Sequence, residues 1–211
     1  MSPAVMQQRH EPHDSLDDFP TPPWATRALC ERLGDLSGLT CREPAANRGH
    51  MVRPLTEYFA EVIASDIHDY GAGFPVQDFL FLSGNEAVDW TITNPPFRLA
   101  AEFIRHAITT SRKGVAMIVR SAFLEGQDRY ATLFTRHRPR LVLQFTERVV
   151  MHKGKLAPNG SSATAYSWLV FGPLPAPFTE FDWIAPCRSR LERVGDYPAP
   201  AAAPFSFGGA A

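Results

Sequence analysis

Asn94-Pro95-Pro96-Phe97 directly follows residues 88–93, a run with the composition of a strand. Two consecutive prolines remove two backbone donors and fix two φ angles. The residue before a proline is driven out of the helical region. The turn is therefore stiff, and its carbonyls face outward without adjacent N–H groups to satisfy them. Asn94 adds a side-chain oxygen acceptor, and Phe97 adds a ring face on which another ring can stack. Such a corner suits an amino group attached to a ring. The lone pair of that nitrogen is delocalised, which makes it a poor nucleophile. Accepting hydrogen bonds from its two protons favours a more tetrahedral nitrogen with an available lone pair. Orientation against an electrophile then supplies much of the acceleration, and no strong general base is required.

Upstream, Glu43-Pro44-Ala45-Ala46-Asn47-Arg48-Gly49-His50-Met51 lies between the first expected strand and its helix. A tight turn there presents backbone amides to a small ligand, although Gly49 is its only glycine. Asp66 ends the second expected strand, where a carboxylate accepts from ribose hydroxyls in nucleoside-binding α/β sheets. Asp78-Phe79 follows the next short segment and is placed to bond and pack against an adenine ring.

These residues need a frame to hold them together. Helical spacing is read over residues 23–36, 51–60, 98–111 and 128–135. Short apolar runs predict strands over 39–43, 61–66, 88–93, 114–120, 140–146 and 165–171, with 61–66 and 114–120 reading as buried. Alternation of this kind implies a mostly parallel sheet covered by helices on both faces. Ligands in such sheets collect at the carboxyl ends of the strands. The residues singled out above fall at those ends.

The bulk composition agrees with one domain. The 211 residues, 45% hydrophobic and 20% charged, suit a single core of ordinary type. No signal peptide is read at the start and no run approaches the roughly 20 apolar residues of a membrane span, so a cytoplasmic location is expected. Cys30, Cys41 and Cys187 are too far apart for a zinc site and read as buried thiols. His10 and His13 are not read as ligands, and no metal is expected. The net charge of −1 argues against a generally cationic surface. However, Arg129, Arg136, Arg138, Arg140, Arg148, Lys153 and Lys155 form a local basic strip able to neutralise phosphates.

The chain resembles the amino-group DNA methyltransferases that carry a D/N-P-P-Y/F/W signature, in particular small phage-type adenine-N6 enzymes. The resemblance runs over residues 19–171. It implies a seven-stranded, mostly parallel Rossmann-like fold of S-adenosylmethionine-dependent methyltransferases, with residues 18–195 as its one domain. Residues 1–17 and the Pro/Ala/Gly-rich 196–211 are expected to be flexible. It further implies S-adenosylmethionine as cofactor, DNA as partner, and a target adenine flipped into the site. Phe19, Thr21 and Pro22 match the segment packed against the methionine end of the cofactor. Glu43, Pro44, Ala45, Asn47 and Gly49 match the cofactor loop, with Glu43 near the methionine ammonium. Asp66 matches the ribose acid, Asp78 and Phe79 the adenine contact, and Asn94, Pro95, Pro96 and Phe97 the catalytic loop, Asn94 also touching the cofactor.

Two departures stand out. Asn47 occupies a position where glycine is usual, although asparagine reaches left-handed conformations more readily than most residues. There is also no long target-recognition domain. In its place stands the polar loop 149–163, flanked by Arg148 and carrying His152, Lys153 and Lys155, which can touch phosphates and base edges. Ribosomal RNA guanine-N2 methyltransferases and protein glutamine methyltransferases share the corner, and remain alternatives. So does a binding module that keeps the fold without catalysis.

Overall fold

The computed structural model describes residues 17–82, 87–156, 158–160, 162–174 and 176–197. His10 and His13 lie outside them, as does most of each expected flexible end. Helix α1 (Pro23–Leu33) opens on a proline, whose fixed φ suits the first helical position, and stops at Gly34, with φ +89°. Strand β1 (Thr40–Glu43) leads through the cofactor-loop segment into α2 (Val52–Leu55) and then β2 (Glu61–Ala64). Strand β3 (Val88–Thr93) runs into the diproline corner, a short 3-10 turn (Phe97–Leu99) and α3 (Ala100–Thr110). Strand β4 (Ser111–Arg120) is followed by α4 (Gln127–Arg129), which runs into a π-turn at Tyr130–Phe134. Strands β5 (Leu141–Phe145), β6 (Tyr166–Phe171) and β7 (Glu180–Ile184), then α5 (Arg188–Leu191), complete the described chain.

The seven strands form one sheet in the order β2-β1-β3-β4-β6-β5-β7. Strand β6 runs antiparallel to both β4 and β5, and every other pairing is parallel. From β1 the chain steps outward to β2, then returns past β1 to β3. That reversal opens a crevice at the carboxyl ends of β1 and β3. Strand β4 shows how the two faces are filled. Ala116 and Ile118 join the α1-side cluster with Trp24, Leu143 and Trp168. Val115, Met117 and Val119 join the α3-side cluster with Phe103, Ile104 and Leu133, as the two-residue period of a strand requires. Gly114 is held by close packing: a Cβ there would lie 2.6 Å from the Trp90 ring.

Several expectations need correction. The helix expected over 51–60 is a single turn, α2, and residues beyond it continue as turns. Strand β2 is not buried; as the outer strand of the sheet it alternates between exposed and half-buried residues. The segment leading to Asp78 makes only one bridge, Val76 with Asp66, and the seventh strand is β7 at the far edge. The folded body also reaches past residue 195. Asp196 is buried and accepts from Arg27 at 2.7 Å, and the same guanidinium holds Glu57 at 2.8 Å. The three cysteines are buried and free. Among the described residues no helix is long and apolar enough to cross a membrane.

Candidate active site

The turn after β1 is held by bonds to near neighbours. Glu43, fully buried, accepts through Oε1 from Ala45 N at 3.0 Å and from Thr93 Oγ1 at 2.5 Å. Its Oε2 has no partner among the described residues. Burial pushes this carboxyl up to about 8, so the proton is retained at neutral pH. Asn47 has φ +50°, the only positive value at a non-glycine residue among the described residues. The residue replacing the usual glycine thus takes up the left-handed conformation itself. Its Nδ2 donates to Asp18 Oδ1 at 2.7 Å and its Oδ1 accepts from Arg48 N at 2.7 Å. Gly49, at φ +80°, cannot be replaced so easily: a Cβ there would stand 3.1 Å from the Phe74 ring.

Asp66, just past β2, accepts from Asn47 N at 2.8 Å on Oδ2 and from His68 N at 3.0 Å on Oδ1. A carboxylate offers about four lone-pair sites, so it keeps capacity to accept from hydroxyls. Burial raises its pKa. Asp78 accepts from Leu80 N at 2.9 Å, capping the short 3-10 turn that sets Phe79 in place. The Phe79 ring is buried between His106, edge-on at 4.7 Å, and Phe103 at 5.1 Å.

Around these groups lies a cavity of about 550 Å³ at the carboxyl ends of β1, β2 and β3. Phe19, Thr21, Pro44, Ala45, Asn47, Asp66, Asp78, Phe79 and Asn94, all expected from the sequence, line it. Pro96 lines it too. Five others of the cofactor and catalytic sets do not: Pro22 caps α1, Gly49 shapes the turn, Glu43 lies behind Ala45, and Pro95 and Phe97 stand outside the lining. The wall also includes His50, Met51, Ile67, Tyr70, Leu99 and Phe103, which sequence reasoning does not single out. Met51 and Phe103 are core residues by composition, so nothing in their type distinguishes a cavity wall from a helix contact. His50 is a buried imidazole whose Nδ1 lacks a partner among the described residues. Burial, helped by Arg53 and Arg48, lowers its pKa to about 4, leaving it neutral at physiological pH.

The catalytic corner is fixed from the other side of the crevice. Asn94 Nδ2 donates to the Phe19 carbonyl at 2.9 Å and points at Met151 Sδ at 3.8 Å. With the nitrogen so engaged, Oδ1 is buried and without a donor among the described residues. The expectation that the corner's carbonyls lack partners needs correction at Pro96, which accepts from Leu99 N at 2.9 Å as the chain turns into α3. Phe97 N donates to Asp17 Oδ2 at 2.8 Å, so Asp17, grouped with the flexible end by sequence, is part of the corner. The Phe97 ring lies 5.2 Å from that of Phe19 and carries the Arg120 guanidinium 4.1 Å above it.

The polar loop after β5 is seated against this corner. Val149, Val150, Met151 and Leu156 are buried, while Lys153 and Lys155 are exposed. His152 is half-buried and bridges to Lys155. Gly154 N donates to the Asp18 carbonyl at 2.8 Å, and Asp18 in turn pairs with Arg48 at 3.0 Å. Arg148 is turned to its own loop, donating to the Ala163 carbonyl at 3.4 Å. In the basic strip, Arg129 and Arg138 likewise donate to nearby carbonyls, those of Phe123 and Pro177.

No protein-family profile and no curated protein matches the sequence. Solved structures do match in fold. A type I restriction-modification system methyltransferase subunit from Streptococcus thermophilus superposes with a TM-score of 0.56 at 12% identity, covering 80% of this chain and 48% of that one. The chain therefore spans about half that subunit's length. Magnesium protoporphyrin IX methyltransferase from Synechocystis PCC 6803, with bound S-adenosylmethionine, gives 0.52 at 15% identity, covering 71% and 77%. The N-methyltransferase NodS from Bradyrhizobium japonicum WM9 gives 0.50 at 10%, covering 72% and 94%. The fold is the Rossmann-like fold of S-adenosylmethionine-dependent methyltransferases.

Proposed function

We propose that the chain transfers a methyl group from S-adenosylmethionine to the exocyclic N6 amine of adenine in DNA. The observation that carries this reading is the Asn94 amide. Its nitrogen is tied to Phe19, and its buried oxygen has no donor among the described residues. A buried acceptor left unmade costs about 1–3 kcal/mol, and a ring amine supplies the missing proton. The Pro95 carbonyl offers a second acceptor at the same corner.

The cavity suits the cofactor. Its volume lies within the range of small-molecule sites. Asp66 keeps lone pairs for ribose hydroxyls, the packed Phe79 and Phe103 make an apolar wall against which adenine can lie, and Thr21 Oγ1 is a further polar atom of the wall without a partner among the described residues. Glu43 holds the Ala45 turn from behind and so shapes the methionine end of the cavity without lining it. When bound, S-adenosylmethionine supplies an electrophilic methyl carbon whose bonding pair departs with sulfur as the amine nitrogen takes its place. Asn94 and Pro95 hold the amine's two protons, one of which leaves to water after the new N–C bond has formed. Phe97 supports the base ring.

DNA is favoured by the basic loop seated on Asn94 through Met151, and by the likeness to a restriction-modification subunit. The test is transfer of labelled methyl to separate pools of unmethylated DNA, ribosomal RNA and release factor. Label in N6-methyladenine of DNA is expected. Label only in RNA or protein would replace the substrate. Calorimetric silence toward millimolar S-adenosylmethionine would reject the enzyme reading itself.

A further inference from the structure

Arg120 is the last residue of β4, which runs parallel to β3 and continues beyond Met117, the partner of Thr93, alongside the catalytic corner. Its guanidinium lies over the Phe97 ring, with Cζ 4.1 Å from the centroid, and beside Tyr166, its cross-strand neighbour. Neither carries charge. Among the described residues no carboxylate lies within ion-pair distance of Arg120, although its side chain is exposed on a surface where arginines such as Arg32, Arg112 and Arg190 have each found one. A guanidinium held in position without an anion has its charge-assisted bonds still to make.

Its place on the ring says when that happens. A base stacking on Phe97 needs the layer about 3.5–4 Å from the ring, and Arg120 fills that layer on one face. Phe19, the ring's other neighbour, cannot yield. It is buried, its carbonyl holds Asn94 Nδ2, and its N–H donates to the Asp17 carbonyl at 3.0 Å. Arg120 is the member of the stack free to leave. The anion that arrives with an extruded base is the phosphate of its own nucleotide.

We infer that Arg120 covers Phe97 until the target base enters, and then moves to grip the phosphate of the extruded nucleotide. The inference rests on the reading of the corner as a base-accepting site. Arg120→Met keeps an unbranched cover over the ring and removes the charge. Arg120→Lys keeps the charge and loses the planar fork.

The measurement is the salt dependence of binding to a fluorescent 30-base-pair duplex carrying adenines on both strands, alongside kcat and KM for unmethylated genomic DNA. Arg120→Met is expected to reduce the log–log salt slope by about one and to raise KM about tenfold, with kcat and cofactor Kd within twofold of wild type. Arg120→Lys is expected to recover most of the slope and only part of KM. An unchanged slope in Arg120→Met overturns the inference, as does a fall in kcat with KM and slope intact, which would leave Arg120 as a prop for Phe97. Absence of transfer by the wild type sinks the methyltransferase reading separately, because the slope comparison needs no turnover.

Discussion

The two walls of the crevice are built in opposite ways. On the β1–β2 side each acid bonds a residue two positions on, Ala45 N to Glu43, His68 N to Asp66 and Leu80 N to Asp78, and longer ties from Thr93 to Glu43 and from Asn47 to Asp66 and Asp18 are added to those turns. On the β3 side the bonds span the chain, with Asn94 reaching Phe19 across 75 residues and Met151 across 57, and Phe97 reaching Asp17 across 80. The first wall takes most of its shape from local turns. The second exists only when the segments carrying Asp17, Phe19 and Met151 have docked. Changes on the local wall should act on cofactor affinity and stability, whereas changes on the assembled wall should act on turnover and DNA.

Asn94→Ala puts the largest strain on that division. Loss of an acceptor made for the reacting amine should lower turnover by about 10²–10³-fold, as for other groups preorganised at a reacting centre. Cofactor Kd should stay within severalfold, and removal of the bond to the Phe19 carbonyl should cost only about 1 kcal/mol of stability. Single-turnover transfer and thermal unfolding measure both, and unchanged turnover removes Asn94 from the chemistry.

Glu43→Gln tests the local wall through pH. The folded value near 8 lies above the ordinary carboxylate value, so the native state holds a proton that the unfolded chain has released. Stability from this group is therefore complete below about pH 4 and drains away as pH rises toward 8. Glutamine imitates the protonated form and removes that drain. The variant should exceed wild type at pH 9 by at most a few kcal/mol, with the gap closing by pH 5, while binding S-adenosylmethionine more weakly. A variant less stable than wild type across the whole range would mean that Glu43 is ionised in the fold.

Asp66→Ala should come next in size. It strands the N–H groups of Asn47 and His68, which costs about 1–3 kcal/mol. Loss of the ribose acceptor should raise cofactor Kd about tenfold or more, with kcat at saturating cofactor within severalfold. A fall in kcat at unchanged Kd would place Asp66 on the wrong wall.

The same contrast explains what can be read from sequence. Asn94 to Phe97, Asp66 and Asp78 are legible because each is a distinctive residue at the end of an apolar run, although the bonds that fix Asn94 and Phe97 reach Phe19 and Asp17 far along the chain. Asn47 is legible as an oddity but not as a solution, since its tie to Asp18 crosses 29 residues. Asp17, Arg120 and Met151 carry no local mark at all. Their significance arises from docking of distant segments, which periodicity does not encode. Strand β7 escapes for another reason. Phe181 and Trp183 alternate with Glu180 and Asp182 but remain exposed, so its apolar residues do not form the buried run by which the other strands are recognised. Helix α2 is shorter than its spacing suggests because Tyr58 and Phe59 keep helical positions while belonging to turns packed on α1-side core residues.

The smallest expected effect concerns the loop after β5. Its backbone is fixed by the Gly154 bond to Asp18 and the His152–Lys155 bridge, so replacing its lysine side chains should leave the corner undisturbed. Lys153→Ala with Lys155→Ala should lower the salt slope of DNA binding by about 1.8, near 0.9 for each phosphate no longer neutralised. Affinity at low salt should fall severalfold, and kcat should not change. An unaltered slope would remove the loop from the interface. Because Arg120 sits across the corner on β4, its replacement should add to theirs if one DNA touches both at once. A triple variant whose slope falls no further than that of the lysine pair would mean that loop and corner do not grip the same duplex.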